Sequence, residues 1–303
     1  PRTVEVVAAL VRDFCVMASR DFEIATQTVN GTTVRSVYLP RDRAAGRHVL
    51  DVAAQSLADF ERRFGPYPYA DLDVVEASLV GGAGGVEFAA LVTVASMFYK
   101  PVSGTAGAGG GGDVTQLLGM LMGAGGNGQG MDEMVERMRE FVTAHEVAHQ
   151  WWAHQEVPGN VQGAEFITES LAEYSALMVL KHKYGDERMR RFLRYELDRY
   201  LAGRGMEQKG EQPLLRADGA AYVHYQKGAL VLYALQDAIG EAAMDDALSS
   251  FLRRWRFKGP PYATSRDLVA ELRRVTPPEH QGLIEDYFET ITLYDDRAVS
   301  ARA

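Results

Sequence analysis

The segment Thr143–Trp152 contains the pattern His-Glu-x-x-His, formed by His145, Glu146 and His149. Residues four apart share one face of a helix, so both imidazoles are expected to point the same way. Two neutral imidazoles at this spacing can bind one Zn²⁺, and Glu146 can take a proton from a zinc-bound water. The alternative is a buried amphipathic helix that carries two histidines by coincidence. The ordered motif favours the metal site, and the rest of the fold is expected to be built around it.

A catalytic zinc needs a third protein ligand and one open position, and the next predicted helix offers three candidates. The segment Glu165–Lys181 carries Glu165, Glu169 and Glu173 at intervals of four, which places them on one face. A solvated acidic stripe is the ordinary explanation of such a pattern. Here, however, the segment is otherwise largely apolar, and a buried carboxylate needs a partner. The spacing alone leaves open which of the three acids binds the metal.

The chain resembles the catalytic domain of the M1 (gluzincin) zinc aminopeptidases. In that family the zinc motif is followed, after eighteen residues, by a Glu within an Asn-Glu-Gly-Phe-like string. The matching string is Thr168–Tyr174, so the resemblance makes Glu169 the third ligand, with nineteen residues between it and His149. We expect the extra residue in the turn Val157–Gly163, where loop length has little effect on free energy. Glu173, one turn beyond Glu169, could hydrogen-bond the outer nitrogen of a zinc-bound histidine.

Three further strings resemble the family outside the zinc motif. Tyr225–Gly228 is similar to Tyr-x-Lys-Gly, whose Tyr stabilises the tetrahedral oxyanion, and this assigns that role to Tyr225. Phe64–Tyr69 is similar to the family's Phe-Gly-x-x-Tyr-Pro region. Gly84–Phe88 is similar to Gly-Ala-Met-Glu-Asn, with Val in place of Met and Phe in place of Asn.

The last of these strings predicts the substrate-binding site. Gly84 and Gly85 let a backbone approach closely, and in the family the strand after this turn lines the cleft and pairs with the substrate backbone. The resemblance assigns Glu87 to the free α-amino group, because a carboxylate beside an ammonium selects substrates with a free N-terminus. An exposed strand glutamate is the alternative explanation of Glu87.

Bulk composition excludes several other classes of function. The chain has 303 residues and a formal net charge of −9, which argues against nucleic acid or an anionic membrane surface as main partner. The single cysteine, Cys15, excludes an internal disulfide and a cysteine-based zinc site. No run of about 18 apolar residues occurs, so no membrane-spanning segment is predicted.

The expected fold class is α+β: a thermolysin-like zinc peptidase domain with a small β-sheet, a mostly helical lobe, and the end of an N-terminal β-domain. Residues 1–43 are assigned to the end of that β-domain. Residues 44–290 are assigned to the catalytic domain, and 291–303 to the start of a truncated C-terminal β-domain. The glycine-rich stretch 103–130 is predicted to be an inserted loop.

Local patterns predict most of the first elements. The β-branched segment Val4–Ala18 favours strands, and Asn30-Gly31 indicates a hairpin between two further strands. Residues 87–94 are predicted to form one strand. The chain opens without Met or a signal peptide, so we expect it to be a piece of a longer protein.

The predicted function is removal of N-terminal residues from peptides with one Zn²⁺ per chain, Glu146 acting as general base. An endopeptidase with the same metal chemistry is the alternative if Glu87 lies outside the cleft. A further alternative is a peptide-binding or regulatory module, because the chain also resembles extramembrane segments of bacterial permeases. We expect a soluble domain, and the sequence leaves its compartment open. Under the last alternative, this domain would be part of a larger, membrane-attached protein.

Overall fold

A computed structural model describes Thr3, residues 5–100 and residues 128–292, without the side chains of 128–134. In this part of the chain, five strands form one mixed sheet in the order β1-β2-β3-β5-β4. The strands are β1 Glu23–Val29, β2 Thr32–Tyr38, β3 Asp71–Ala77, β4 Gly85–Phe88 and β5 Leu91–Ala95. The pairs β1–β2 and β4–β5 are antiparallel, whereas β2–β3 and β3–β5 are parallel.

Helices make up most of the remaining described chain. They are α1 Arg43–Phe64, α2 Gly128–Ala148, α3 Leu171–Tyr184, α4 Asp186–Met206, α5 Gly228–Ile239, α6 Glu241–Trp255, α7 Ser265–Val275 and α8 Gln281–Ile284. π-Helical turns at Phe166–Ser170 and Tyr222–Lys227 lead into α3 and α5, and a third, Glu285–Glu289, follows α8. A small sheet followed by a mostly helical lobe is the predicted fold class, which is confirmed. No described helix has both the length and the apolar character needed to cross a membrane.

The first hairpin follows from its turn residues. Asn30 and Gly31 have φ of 48° and 93°, in the left-handed region that Asn and Gly adopt most readily. The predicted turn is therefore confirmed. Through β2 the hairpin joins the same sheet as β3, so it is continuous with the rest of the fold. The domain bounds 1–43, 44–290 and 291–303 stay predictions.

Aromatic packing fixes the end of the zinc segment against α1. Trp151 and Trp152 are fully buried, and their rings meet Phe60 and Phe64 edge-on at centroid distances of 5.6 and 4.9 Å. Edge-to-face aromatic pairs add about 0.5–1.5 kcal/mol each to the free energy from burial alone. The indole of Trp152 also donates a hydrogen bond to Ser175 Oγ at 3.0 Å, which ties the segment to α3.

Two predictions of strands are wrong in the described residues. The described residues of Val4–Ala18 form no strand, and Val7, Phe14 and Val16 are exposed. Since β-branched residues favour strands through packing on a partner, the pattern alone is insufficient here. Residues 87–94 span two strands, β4 and β5, which turn at Ala89-Ala90 without a Gly or Pro to signal it. The predicted insertion lies mostly outside the described residues.

Candidate zinc site and active-site cleft

Three side chains from two segments converge on one point. His145 lies in the last turn of α2, His149 in the turn directly after it, and Glu169 in the π-helical turn before α3. The Nε2 atoms of His145 and His149 are 3.0 Å apart. Glu169 Oε2 lies 3.3 Å from His145 Nε2 and 3.5 Å from His149 Nε2. The structure thus brings the three predicted ligands together.

The donor atoms of this cluster fit a tetrahedral zinc ion. Zinc bonds of about 2.0–2.1 Å at tetrahedral angles place two ligand atoms roughly 3.3 Å apart, close to the three separations found here. His149 Nδ1 donates to the Trp152 carbonyl at 2.9 Å, which leaves its Nε2 lone pair directed at the other ligands. Glu169 Oε2 is buried and has no hydrogen-bond partner among the described residues.

Electrostatics of the cluster also favour a cation. Burial acts to lower the pKa of His149, but the adjacent Glu169 carboxylate outweighs it and raises the pKa to about 10. Burial acts to raise the pKa of Glu169, but the two imidazoles hold that pKa well below its usual range. Burial lowers the pKa of His145. The centre therefore requires positive charge, which a divalent cation would supply with both imidazoles neutral.

Glu146 lies beside the cluster as a buried carboxylate. Its Oε2 has no hydrogen-bond partner among the described residues. Burial raises the pKa of Glu146 to about 8. The nearby charge of His149 acts to lower this pKa, and the charges of Glu87 and Glu169 act to raise it. A carboxyl group whose pKa lies near neutrality can both accept and return a proton.

Tyr225 lies in the second π-helical turn, across the cleft from α2. Its ring centroid is 6.0 Å from that of His145. Burial, together with the neighbouring Glu169 carboxylate, raises the pKa of Tyr225 well above its usual range, so the phenol keeps its proton and can donate a hydrogen bond. π-Helical turns occur frequently at functional sites, and here two of them carry Glu169 and Tyr225.

The two π-helical turns are joined by the residue that departs from the family string. Ser170, where the family usually has Gly, donates from Oγ to the His224 carbonyl at 2.5 Å. His224 Nδ1 in turn lies 2.9 Å from Glu165 Oε2. Glu165, one of the three acids on the predicted helix, therefore contacts the Tyr225 segment rather than the zinc cluster.

Glu173 is buried next to His145 but is not in tight contact with it. Its Oε1 lies 3.5 Å from His145 Nδ1, beyond a hydrogen bond of good geometry. His145 Nδ1 has no hydrogen-bond partner among the described residues. The predicted orienting role of Glu173 stays a prediction.

Glu87 lies beside Glu146, which lines the cleft. Its carboxylate, that of Glu146 and a ring nitrogen of His149 lie within 4.8 Å of one another. Gly84 and Gly85 line the cleft on the same side, within a cavity of about 380 Å³. In the described sheet β4 is an edge strand, so its outer N–H and C=O groups can pair with an extended peptide.

The family of the chain follows from a sequence comparison. The model of the peptidase family M1 domain matches residues 128–287, more than half of the chain. The chain belongs to peptidase family M1. No curated protein matches it.

Solved structures show the same fold over most of this M1 chain. An M1 zinc metallopeptidase from Deinococcus radiodurans matches with a TM-score of 0.59 and 19% identity, and a mutant of it with a TM-score of 0.58 and 19% identity. A two-domain M1 zinc metallopeptidase mutant bound to L-tryptophan matches with a TM-score of 0.57 and 19% identity. Each match covers 90% of this chain and 53% of the other, so the chain spans about half their length. One catalytic Zn²⁺ is the cofactor that this family implies.

The M1 chain also contains a site residue that sequence reasoning missed, Gln150. Its Oε1 accepts a hydrogen bond from the Ala90 N–H at 2.9 Å, and its Nε2 donates to the Phe88 carbonyl at 2.9 Å. These two bonds hold the β4–β5 turn against the zinc motif and so set the position of Glu87 relative to His149. A polar amide between a zinc ligand and two tryptophans was the signal available in the sequence.

Proposed function

We propose that the chain is a zinc aminopeptidase that removes N-terminal residues from peptides with a free α-amino group. One observation carries the proposal: Glu87 lies beside Glu146, next to three side chains whose donor atoms fit zinc. The metal cluster supports peptide hydrolysis, and the second carboxylate supports selection of the substrate's amino terminus.

Each side chain has a distinct role in this proposal. His145, His149 and Glu169 would hold the zinc, which when bound polarises the scissile carbonyl and activates water. Glu146 accepts a proton from the attacking water and returns it to the nitrogen of the leaving amine. Tyr225 donates a hydrogen bond to the oxygen on which negative charge develops.

Repulsion between two carboxyl groups supports a preference for substrates with a free α-amino group. The carboxyl groups of Glu87 and Glu146 lie close together and Glu146 is buried, so like charges there repel. A substrate ammonium placed beside Glu87 relieves that repulsion and gains charge-assisted hydrogen bonds. An N-acetylated substrate carries no such charge and gains neither effect.

The first experiment measures zinc by elemental analysis and the hydrolysis of aminoacyl-4-nitroanilides in the same samples. We expect one zinc per chain and turnover that is lost in Glu146→Gln, while zinc stays bound. Glu187→Gln is the matched control, because that side chain is exposed on α4. Zinc without turnover in the wild type would favour the alternative, a peptide-binding module of a larger membrane-attached protein.

A further inference from the structure

A second cavity adjoins the active-site cleft. It has a volume of about 850 Å³ and lies between α4 and the loop 207–221. Arg199, Ala221 and Gln226 line both this cavity and the cleft, so the two spaces are neighbours across these three residues. A peptide held at Glu87 can extend its other end toward this passage.

The far wall of the second cavity is held in place by Glu211. Its carboxylate accepts a hydrogen bond from Tyr200 at 2.7 Å and pairs with Arg204 at 3.3 Å. It also forms an ion pair with Lys227, in the π-helical turn that carries Tyr225. The Glu211 side chain is only 3% exposed. The loop is therefore tied both to α4 and to the catalytic side of the cleft, which makes the cavity a built part of the fold.

Arg199 gives the passage its positive charge. Among the described residues that line the cleft, it is the one Lys or Arg. The side chain is half-buried, and within the described chain its hydrogen bond is a long one, 3.4 Å from Nη1 to the Tyr195 hydroxyl. A guanidinium has five N–H donors in a planar fork that matches a carboxylate. The buried carboxyl groups of Glu173 and Glu196 are electrostatic neighbours of Arg199, but neither accepts a hydrogen bond from it in the described chain, so N–H donors remain for a ligand.

Groups of opposite charge lie beside the zinc cluster and where the cleft meets the second cavity. Glu87 supplies a carboxylate beside the zinc cluster, and Arg199 supplies a guanidinium where the cleft meets the second cavity. We propose that Arg199 is a specificity-determining residue that binds a carboxylate on the leaving part of the substrate. The direction of the bound peptide rests on the proposed function, which places the amino terminus at Glu87. The carboxylate has two sources: the C-terminus of a short peptide, or an acidic side chain after the cleaved bond.

Paired peptides test the proposal and separate the two sources. In these peptides, X is the N-terminal residue that the enzyme cleaves fastest. The first pair, X-Gly-Gly and its C-terminal amide, tests the C-terminal carboxylate. The second pair, X-Glu-Gly amide and X-Gln-Gly amide, tests an acidic side chain. The wild type is expected to prefer at least one carboxylate-bearing member by about tenfold in kcat/KM, mainly through KM. Arg199→Gln abolishes that preference, whereas the control Arg191→Gln, an exposed change on the same helix, keeps it.

Equal use of both members of each pair, or a preference that survives in Arg199→Gln, overturns the proposal. If Arg199→Gln does not fold, Arg199→Lys decides. It keeps the charge but loses the planar fork, so the preference should fall, and an unchanged preference contradicts the proposal.

A binding measurement separates this inference from the proposed function. The same peptides are titrated calorimetrically into zinc-loaded Glu146→Gln, with and without Arg199→Gln. A carboxylate preference in binding that Arg199→Gln removes supports the inference even if the wild type hydrolyses nothing. Peptides that bind without that preference, or do not bind, overturn it.

Discussion

A methyl group on Gly85 would lie 2.3 Å from Oε1 of Glu146. Real Cβ atoms do not approach another atom this closely, so any side chain at position 85 must displace the carboxylate or the strand β4. The space that Glu146 occupies, the general base in the proposed mechanism, therefore requires a glycine at position 85. The neighbouring Gly84 differs, because its added methyl would be 3.4 Å from Val142, close to ordinary contact.

The first prediction compares alanine substitutions at Gly85 and Gly84. Gly85→Ala should lower kcat by about a hundredfold or more, since a displaced general base loses most of its contribution. Gly84→Ala is the matched control and should keep kcat within a few-fold. Steady-state kinetics and zinc content are measured for both. Equal activity of the two variants would contradict the account of Gly85.

The second prediction concerns the contact of the first π-helical turn with Gly228, the residue directly after the second turn. A methyl group on Gly228 would lie 2.1 Å from Ser170 Oγ, so Gly228→Ala should destabilise the fold by about 2 kcal/mol. Ser170→Gly removes the clash and should restore much of the lost stability in the double variant. A double-mutant cycle of denaturant unfolding measures this coupling. Simple additivity of the two changes would show that the turns do not pack as described.

The third prediction concerns Gln150. Gln150→Leu leaves the Ala90 N–H and the Phe88 carbonyl without their partner, at a cost of about 1–3 kcal/mol for each group. We expect a higher KM for peptides with a free amino terminus, because the strand that carries Glu87 is no longer held. Zinc content should not change. A variant that binds less zinc but keeps its KM would assign Gln150 to the metal site instead.

The fourth prediction concerns acid stability and the buried carboxylate of Glu140. Burial acts to raise its pKa, but bonds from His48, Lys183 and Tyr184 outweigh this and lower the pKa to about 2. The folded pKa lies below the unfolded value of about 4.3, so the stabilisation is present above that pH and is lost as pH falls toward 2.

Glu140→Gln should therefore be less stable than the wild type at neutral pH, on the order of 2 kcal/mol, and the difference should shrink between pH 4.5 and 2. Urea unfolding across this range measures it. Glu187→Gln, at an exposed site, should follow the wild type throughout. If the difference in unfolding free energy between Glu140→Gln and the wild type is constant with pH, protonation of Glu140 is not coupled to folding as described.

Local spacing accounts for what could be predicted from sequence. The i, i+4 relation brings the two imidazoles together, and the Asn30-Gly31 pair predicted the turn of the first hairpin. Spacing did not distinguish among the three acids, and only the family resemblance selected Glu169. That residue lies in a π-helical turn whose Ser170 donates a hydrogen bond to the His224 carbonyl, far away in sequence.

Long-range contacts explain what could not be predicted. The Ala89-Ala90 turn has no Gly or Pro, and it is held by Gln150 from another part of the chain. No pattern in the sequence distinguishes Arg199 from the other arginines of α4. Its place at the passage between two cavities follows from the loop that Glu211 ties to α4.

The most direct test of the proposed aminopeptidase compares kcat/KM for a free aminoacyl-4-nitroanilide and its N-acetylated form, in the wild type and in Glu87→Gln. Zinc is measured in the same samples. We predict that the wild type strongly prefers the free amine and that Glu87→Gln loses about ten- to a hundredfold of that preference with its zinc retained. Equal cleavage of the acetylated form by the wild type would contradict the account and indicate an endopeptidase.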